Sequence, residues 1–131
     1  MHRKINILAM DREDIILTSI KKALKSNGEI EYSITTCSTA LDGLKLVRSN
    51  AFDLILIDLI LPGMNGLEVL RRVKNISPAI PVVIMSGYFV DKVLGDENPL
   101  NADGFLLKPF TSEELRSLVL YVTGKKTNEV I

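Results

Sequence analysis

The sequence predicts an α/β fold with a doubly wound parallel sheet. Short apolar runs alternate with amphipathic stretches along the chain, in five rounds of strand followed by helix. The predicted strands are apolar throughout, as expected where helices cover both faces of a sheet. The chain has 131 residues, of which 47% are hydrophobic and 24% are charged. This size and composition fit one domain that folds without a metal or a disulfide.

Five runs of apolar or β-branched residues predict the strands, and polar or turn-forming residues bound each run. The runs are residues 5–10, 32–37, 54–57, 81–85 and 105–107. The third run is the most strand-like and ends at Asp58. Right-handed crossovers are expected between successive parallel strands.

Apolar residues at helical spacing predict the helices between these strands. The first helix should stop at Asn27-Gly28, and Ser38 or Thr39 is available to cap the second. A fourth helix within residues 90–103 should be short and irregular, because Gly95 and Pro99 interrupt it.

The last predicted helix defines the end of the domain. Thr111 begins a capping sequence for this helix, and Gly124 is expected to close it. We therefore expect one domain over residues 1–124 and a polar tail over residues 125–131.

The charge balance and the cysteine content restrict the partners and the compartment. Sixteen Lys and Arg residues balance sixteen Asp and Glu residues, which argues against direct nucleic-acid binding. No apolar run approaches the roughly 20 residues of a membrane-spanning helix. Cys37 is the single cysteine and cannot form an internal disulfide, so we expect a cytoplasmic protein.

Polar residues follow four of the predicted strands and indicate a site. Asp11 and Arg12 follow the first strand, Asp58 the third, Ser86 the fourth and Lys108 the fifth. Each residue alone has an ordinary structural explanation as a cap or turn residue. Together, however, they should converge at the carboxyl edge of the sheet, where such folds bind ligands. Carboxylates, a hydroxyl and an ammonium suit a divalent cation such as Mg²⁺ and a phosphoryl group.

Four segments of the chain resemble response-regulator receiver domains. Residues 53–66 (DLILIDLILPGMNG) resemble the phosphoacceptor segment, and residues 82–87 (VVIMSG) the hydroxyl segment of the fourth strand. Residues 104–110 (GFLLKPF) resemble the lysine-proline segment, and residues 7–11 (ILAMD) the first strand. The resemblance implies a flavodoxin-like (βα)5 fold with strand order 2-1-3-4-5.

The resemblance also implies a chemistry for the residues at the strand ends. Asp58 matches the residue that accepts a phosphoryl group from a histidine kinase or a phosphotransfer protein. Asp11, Asp58 and the backbone carbonyl of Ile60 match the ligands of Mg²⁺. Ser86 and Lys108 match the residues that engage the phosphoryl oxygens. The implied reaction is a self-catalysed transfer with slow autodephosphorylation, rather than the turnover of a conventional enzyme.

The family also transmits its signal through a switch surface. Ser86 and Phe105 match the switch positions, and the implied output face consists of the fourth helix, the fifth strand and the fifth helix. The output is expected to be a downstream protein or a domain outside this chain.

Arg12 departs from the family pattern, which has two adjacent acids after the first strand. This substitution should weaken the binding of Mg²⁺. It leaves open a degenerate receiver, which would bind proteins independently of phosphorylation. A small phosphatase with an aspartate nucleophile is a third class, but it would need an acid two residues after Asp58, where this chain has Ile60.

Overall fold

The computed structural model describes residues 3–87 and 102–128, which contain a five-stranded parallel sheet. In chain order its strands are β1 (Arg3–Met10), β2 (Ile30–Cys37), β3 (Leu54–Asp58), β4 (Val82–Ser86) and β5 (Gly104–Leu107). They lie in the order β2-β1-β3-β4-β5, and all neighbouring strands are parallel. The predicted α/β class and strand order are confirmed.

Helices cover both faces of this sheet. They are α1 (Asp14–Ala23), α2 (Ala40–Ser49), α3 (Gly66–Ile76) and a C-terminal helix (Ser112–Asn128). Buried side chains of α2 and α3 pack on one face, and those of α1 and the C-terminal helix pack on the other. Strand β3 contributes Ile55 and Ile57 to the first layer, and Leu54 and Leu56 to the second. Burial on both faces explains why this strand is continuously apolar.

Two predicted helix ends were wrong. Helix α1 ends at Ala23, before the expected stop at Asn27-Gly28. The Oδ1 atom of Asn27 instead accepts the N–H groups of Glu29 and Ile30, at 2.7 and 2.8 Å, and so forms the turn into β2. The C-terminal helix runs through Gly124 to Asn128, because Gly124 lacks the positive φ of a left-handed helix cap.

Side-chain caps set the starts of α2 and α3. Thr39, one of the two predicted candidates, accepts the N–H of Asp42 at 3.2 Å. Asn65 accepts the N–H of Glu68 at 2.9 Å. These bonds satisfy N–H groups that have no partner within the helix.

The connection from β3 to α3 contains a short hairpin. Ile60–Leu61 pairs antiparallel with Met64–Asn65, and the turn uses Gly63 at φ 87°. The sequence predicted this segment as a loop.

The predicted irregular fourth helix falls almost wholly outside the described residues. Within residues 3–87 and 102–128, no helix has the length and apolar character needed to cross a membrane.

Candidate functional site at the carboxyl edge of the sheet

The strand ends bring three charged side chains together at the carboxyl edge of the sheet. Lys108, which follows β5, donates from Nζ to Oδ2 of Asp11 at 2.5 Å. The same Nζ atom lies 3.3 Å from Oδ1 of Asp58 and 4.0 Å from Oε1 of Glu13. One ammonium group therefore links acids that follow β1 and end β3. The sequence placed Asp11, Asp58 and Lys108 at this edge, but the contact from Glu13 to Lys108 was missed.

Asp11 stabilises the local structure and is also a candidate metal ligand. It is 0% exposed, and its Oδ1 atom accepts the N–H of Glu13 at 2.9 Å. Both carboxylate oxygens of Asp11 therefore have a protein partner, as a buried charge requires.

Asp58 is the candidate nucleophile. It ends β3, the central strand of the sheet, and is almost fully buried. Burial, followed by the charge of Asp11, raises the pKa of the Asp58 carboxyl, while Lys108 and the N–H of Ile60 oppose this shift. Two carboxylates that share one ammonium form a site that favours additional positive charge.

Ser86 lies at the site, and its backbone is hydrogen-bonded to Lys108. Its carbonyl accepts the N–H of Lys108 at 2.7 Å, so the last residue of β4 also bonds the residue that follows β5. Ser86 is itself buried. The predicted hydroxyl residue and the predicted lysine are thus coupled by a direct hydrogen bond.

Ile60 lies beside the carboxylate of Asp58. Its N–H group favours the ionised form of the Asp58 carboxyl and so lowers the pKa of that group. Its pairing with Asn65 is of the type in which neither residue bonds the other, because the N–H of Gly66 donates to the carbonyl of Leu59 at 2.7 Å. The Ile60 carbonyl therefore takes no part in the hairpin pairing.

Gly66 permits a close approach of α3 to the backbone of Asp58, which was not predicted from the sequence. A Cβ atom at this position would lie 2.4 Å from the carbonyl oxygen of Asp58 and 2.8 Å from Cα of Leu59. Both contacts are with backbone, which cannot rotate away. The first residue of α3 thus rests directly on the backbone that carries Asp58. A glycine just after the Asn65 cap was the signal that could have revealed it.

A cleft of about 440 Å³ opens over these groups. It is lined by Arg12, Glu13, Ile16, Asp58, Ile60, Gly87, Lys108 and Pro109. Arg12 is exposed and stands on the cleft wall, so the unusual residue after β1 does belong to this site.

The remaining predicted position, the switch residue Phe105, lies away from the cleft. Phe105 pairs with Ile84 within the sheet, is 37% exposed and is not among the residues that line the cleft. Tyr88, two residues after Ser86, lies outside the described residues.

The donor set fits one Mg²⁺ ion, although it is small. Among residues 3–87 and 102–128, no group of three His, Cys, Asp or Glu side chains could hold a metal. Mg²⁺ sites, however, commonly use one or two carboxylates with waters and substrate phosphates. Asp58 and Ile60 line the cleft, whereas Asp11 would join such a set only by exchanging its contact with Lys108 for the ion.

Comparisons with known proteins agree with this architecture. A family model described as the response regulator receiver domain matches residues 7–120. The chain belongs to the response regulator receiver domain family.

Several relatives carry names that describe transcriptional regulation. The chain is 32% identical to the uncharacterized transcriptional regulatory protein YkoG of Bacillus subtilis, over 97% of this chain and 56% of that protein. It is 32% identical to the transcriptional regulatory protein DltR of Streptococcus agalactiae, over 85% of this chain and 48% of that protein. The chain therefore spans about half the length of these relatives.

Solved structures of similar domains share the fold over nearly their full length. A CheY-like receiver domain protein from Methanospirillum hungatei superposes with a TM-score of 0.84 at 26% identity, covering 97% of this chain and 99% of that one. A receiver domain protein from Clostridium thermocellum gives a TM-score of 0.81 at 27% identity, covering 94% and 97%.

Proposed function

We propose that this domain accepts a phosphoryl group on Asp58 from the phosphohistidine of a histidine kinase or phosphotransfer protein. The observation that carries the proposal is the position of the Asp58 carboxylate. It ends the central strand, lines an open cleft and lies 3.3 Å from the ammonium group of Lys108. A carboxylate nucleophile beside a fixed cation suits phosphoryl transfer, which depends mainly on positioning and charge stabilisation.

In the proposed transfer, an Asp58 oxygen forms a bond to phosphorus as the phosphorus–nitrogen bond of the donor breaks. The electron pair of that bond stays on the imidazole nitrogen, which takes up a proton. The product is an acyl phosphate on Asp58. Lys108 is placed to neutralise the transferred oxygens. The acceptor catalyses its own modification and does not turn over an external substrate.

Asp11, Asp58 and the Ile60 carbonyl are the residues that would hold Mg²⁺. When bound, the ion neutralises charge on the phosphoryl oxygens. The protein groups orient the acceptor: Lys108 contacts the Asp58 carboxylate, the Ile60 N–H favours its ionised form, and the close approach of Gly66 supports its backbone.

The phosphoryl group would be sensed by Ser86 and Phe105. Ser86 bonds the backbone of Lys108, and Phe105 lies on β5, three residues before Lys108. A shift of Ser86 toward the phosphoryl group would bias the packing of β5 and the C-terminal helix. The signal would then pass to a partner protein or to an output domain outside this chain. We propose a cytoplasmic location for these exchanges.

Phosphorylation can be tested by intact mass after incubation with Mg²⁺ and acetyl phosphate. The expected result is one added phosphoryl group in the native protein and none in Asp58→Asn. Asp42→Asn is the matched control, since Asp42 is an exposed acid in the first turn of α2, and it should be labelled normally. Incorporation of one phosphoryl group into Asp58→Asn would show that the assignment is wrong.

A degenerate receiver is the second candidate, and Arg12 on the cleft wall is the observation that favours it. Such a domain would bind its partner without any acyl phosphate. The same mass measurement separates the two candidates, because the native degenerate protein would remain unlabelled.

A further inference from the structure

The charged groups that line the cleft are balanced in sign. Arg12 and Lys108 contribute two positive charges, and Asp58 and Glu13 contribute two negative charges. Asp11 is not part of the lining, because it is fully buried beneath Lys108. A phosphoryl group that enters this cleft therefore meets two cations at its surface.

Lys108 and Arg12 differ in how many carboxylates they contact. Lys108 is shared among the carboxylates of Asp11, Asp58 and Glu13. Arg12 is exposed and forms no hydrogen bond or ion pair with any other residue in the described ranges 3–87 and 102–128. Among the described residues, no acid therefore engages the donors of Arg12, whereas those of Lys108 are largely taken.

The chemistry of the guanidinium group matches a phosphoryl group. Its planar fork of N–H donors binds two oxygens at once, and it stays charged at every physiological pH. The side chain is also long enough to move its head while its stem stays in place. The apolar side chains of Ile16 and Ile60 form other parts of the cleft wall.

We propose that Arg12 is a phosphoryl-binding residue, which holds the oxygens of the group carried by Asp58 or of its donor. The cleft then binds a tetrahedral phosphoryl anion with less dependence on a divalent cation than a cleft with two adjacent acids. This inference rests on the proposed function and assigns Arg12 a role in the same site. Under this proposal Arg12, which departs from the family pattern, contributes directly to phosphoryl binding.

The test measures equilibrium binding of an anion to metal-free protein. Inorganic phosphate is titrated into the unphosphorylated domain in the presence of EDTA, and binding is followed by amide NMR shifts. Arg12→Gln should weaken the affinity at least about tenfold, the effect of losing a charge-assisted pair of hydrogen bonds. Arg12→Lys should bind phosphate with an affinity between those of the native protein and Arg12→Gln, because lysine keeps the charge but lacks the planar set of N–H donors.

Arg48→Gln is the matched control. Arg48 is an exposed arginine in the last turn of α2, at the opposite edge of the sheet, and its loss changes the net charge equally. This variant should bind phosphate as the native protein does. Equal affinities in the native protein and Arg12→Gln would overturn the inference, and so would the absence of saturable binding to the native protein.

A second measurement separates this inference from the proposed function. Acetyl phosphate labelling is compared with Mg²⁺ and with EDTA. Here an Asp58 oxygen bonds to phosphorus, and the phosphorus–oxygen bond breaks with its electron pair leaving on acetate. Arg12→Gln should lose a larger fraction of its labelling rate in EDTA than the native protein. If Asp58 is labelled but both proteins respond equally to EDTA, Arg12 has no such role. If the native protein is unlabelled with Mg²⁺, the proposed function itself is wrong.

Discussion

Lys108 and Asp11 form an ion pair of 2.5 Å between residues 97 positions apart in the chain. Asp11 is 0% exposed, so its negative charge depends on Lys108 for compensation. The lysine that would contact the phosphoryl group thus also stabilises the fold. Loss of function in Lys108 variants must accordingly be separated from loss of stability.

Lys108→Met should lower the free energy of unfolding by about 3–5 kcal/mol, because it leaves a buried charge without a partner. Urea unfolding monitored by circular dichroism measures this loss. The double variant with Asp11→Asn should recover part of it, since the orphaned charge is also removed. Lys45→Met, which changes an exposed lysine of α2, should have little effect. A Lys108→Met variant as stable as this control would contradict the structural role.

The raised pKa of Asp58 predicts a specific pH dependence of stability. The native state holds this proton more tightly than the unfolded state. Ionisation therefore costs stability as the pH rises from the ordinary value of 3.8 through the raised native pKa. Asp58→Asn should exceed the native protein in unfolding free energy at neutral pH, and this difference should shrink in acid. Thermal unfolding at several pH values tests it, and a gain that persists undiminished in acid would refute the electrostatic explanation.

Arg12→Asp should bind Mg²⁺ at least tenfold more tightly than the native protein. The substitution changes the local charge by two, and each charge about 4 Å away is worth on the order of 1 kcal/mol even in water. Titration by NMR or fluorescence gives the affinities. Arg48→Asp makes the same change in net charge at the opposite edge of the sheet and should leave the Mg²⁺ affinity nearly unchanged. Equal Mg²⁺ affinities in Arg12→Asp and the native protein would mean that Arg12 does not act on the metal site.

The acyl phosphate on Asp58 should be long-lived. Ile60 is 42% exposed on the cleft wall and has no carboxylate or amide to orient a hydrolytic water. Ile60→Asn should therefore speed dephosphorylation, and Tyr88→Glu, outside the described residues, is expected to act in the same direction. Ile76→Asn is a matched control, since Ile76 is 38% exposed at the end of α3. Intact mass over time gives the rates; an unchanged lifetime in Ile60→Asn would exclude the explanation that a missing water-orienting group slows hydrolysis.

Gly66→Ala should be destabilising and should also slow acceptance of the phosphoryl group. The added Cβ atom would lie 2.4 Å from the carbonyl oxygen of Asp58, so the backbone of β3 or of α3 must shift. We expect a loss of about 1–3 kcal/mol in unfolding free energy. Gly28→Ala is the control, because a Cβ atom there meets nothing within 4 Å. Equal stability and equal labelling rates for the two variants would show that the close approach is unimportant.

Much of the sheet could be predicted because strand boundaries are local features of the sequence. Strand β3 is apolar on both faces and ends at its first polar residue, Asp58, so its position follows from the residues alone. The start of α2 was predictable for a similar reason, since Thr39 lies just before the apolar stripe that it caps. Helix ends were less predictable. Gly124 and Asn27 are typical stop residues, but packing and turn formation decided where the helices ended.

The sequence by itself determined which polar residues reach the carboxyl edge, because the apolar runs of β1, β3, β4 and β5 each stop at a charged or hydroxyl residue. Only the tertiary structure decided that Lys108 pairs most closely with Asp11, that Glu13 approaches the same ammonium, and that Arg12 lines the cleft. These contacts join residues far apart in the chain, or depend on which way a side chain leaves its turn. Their geometry depends on how helices and strands pack, and sequence periodicity does not encode it.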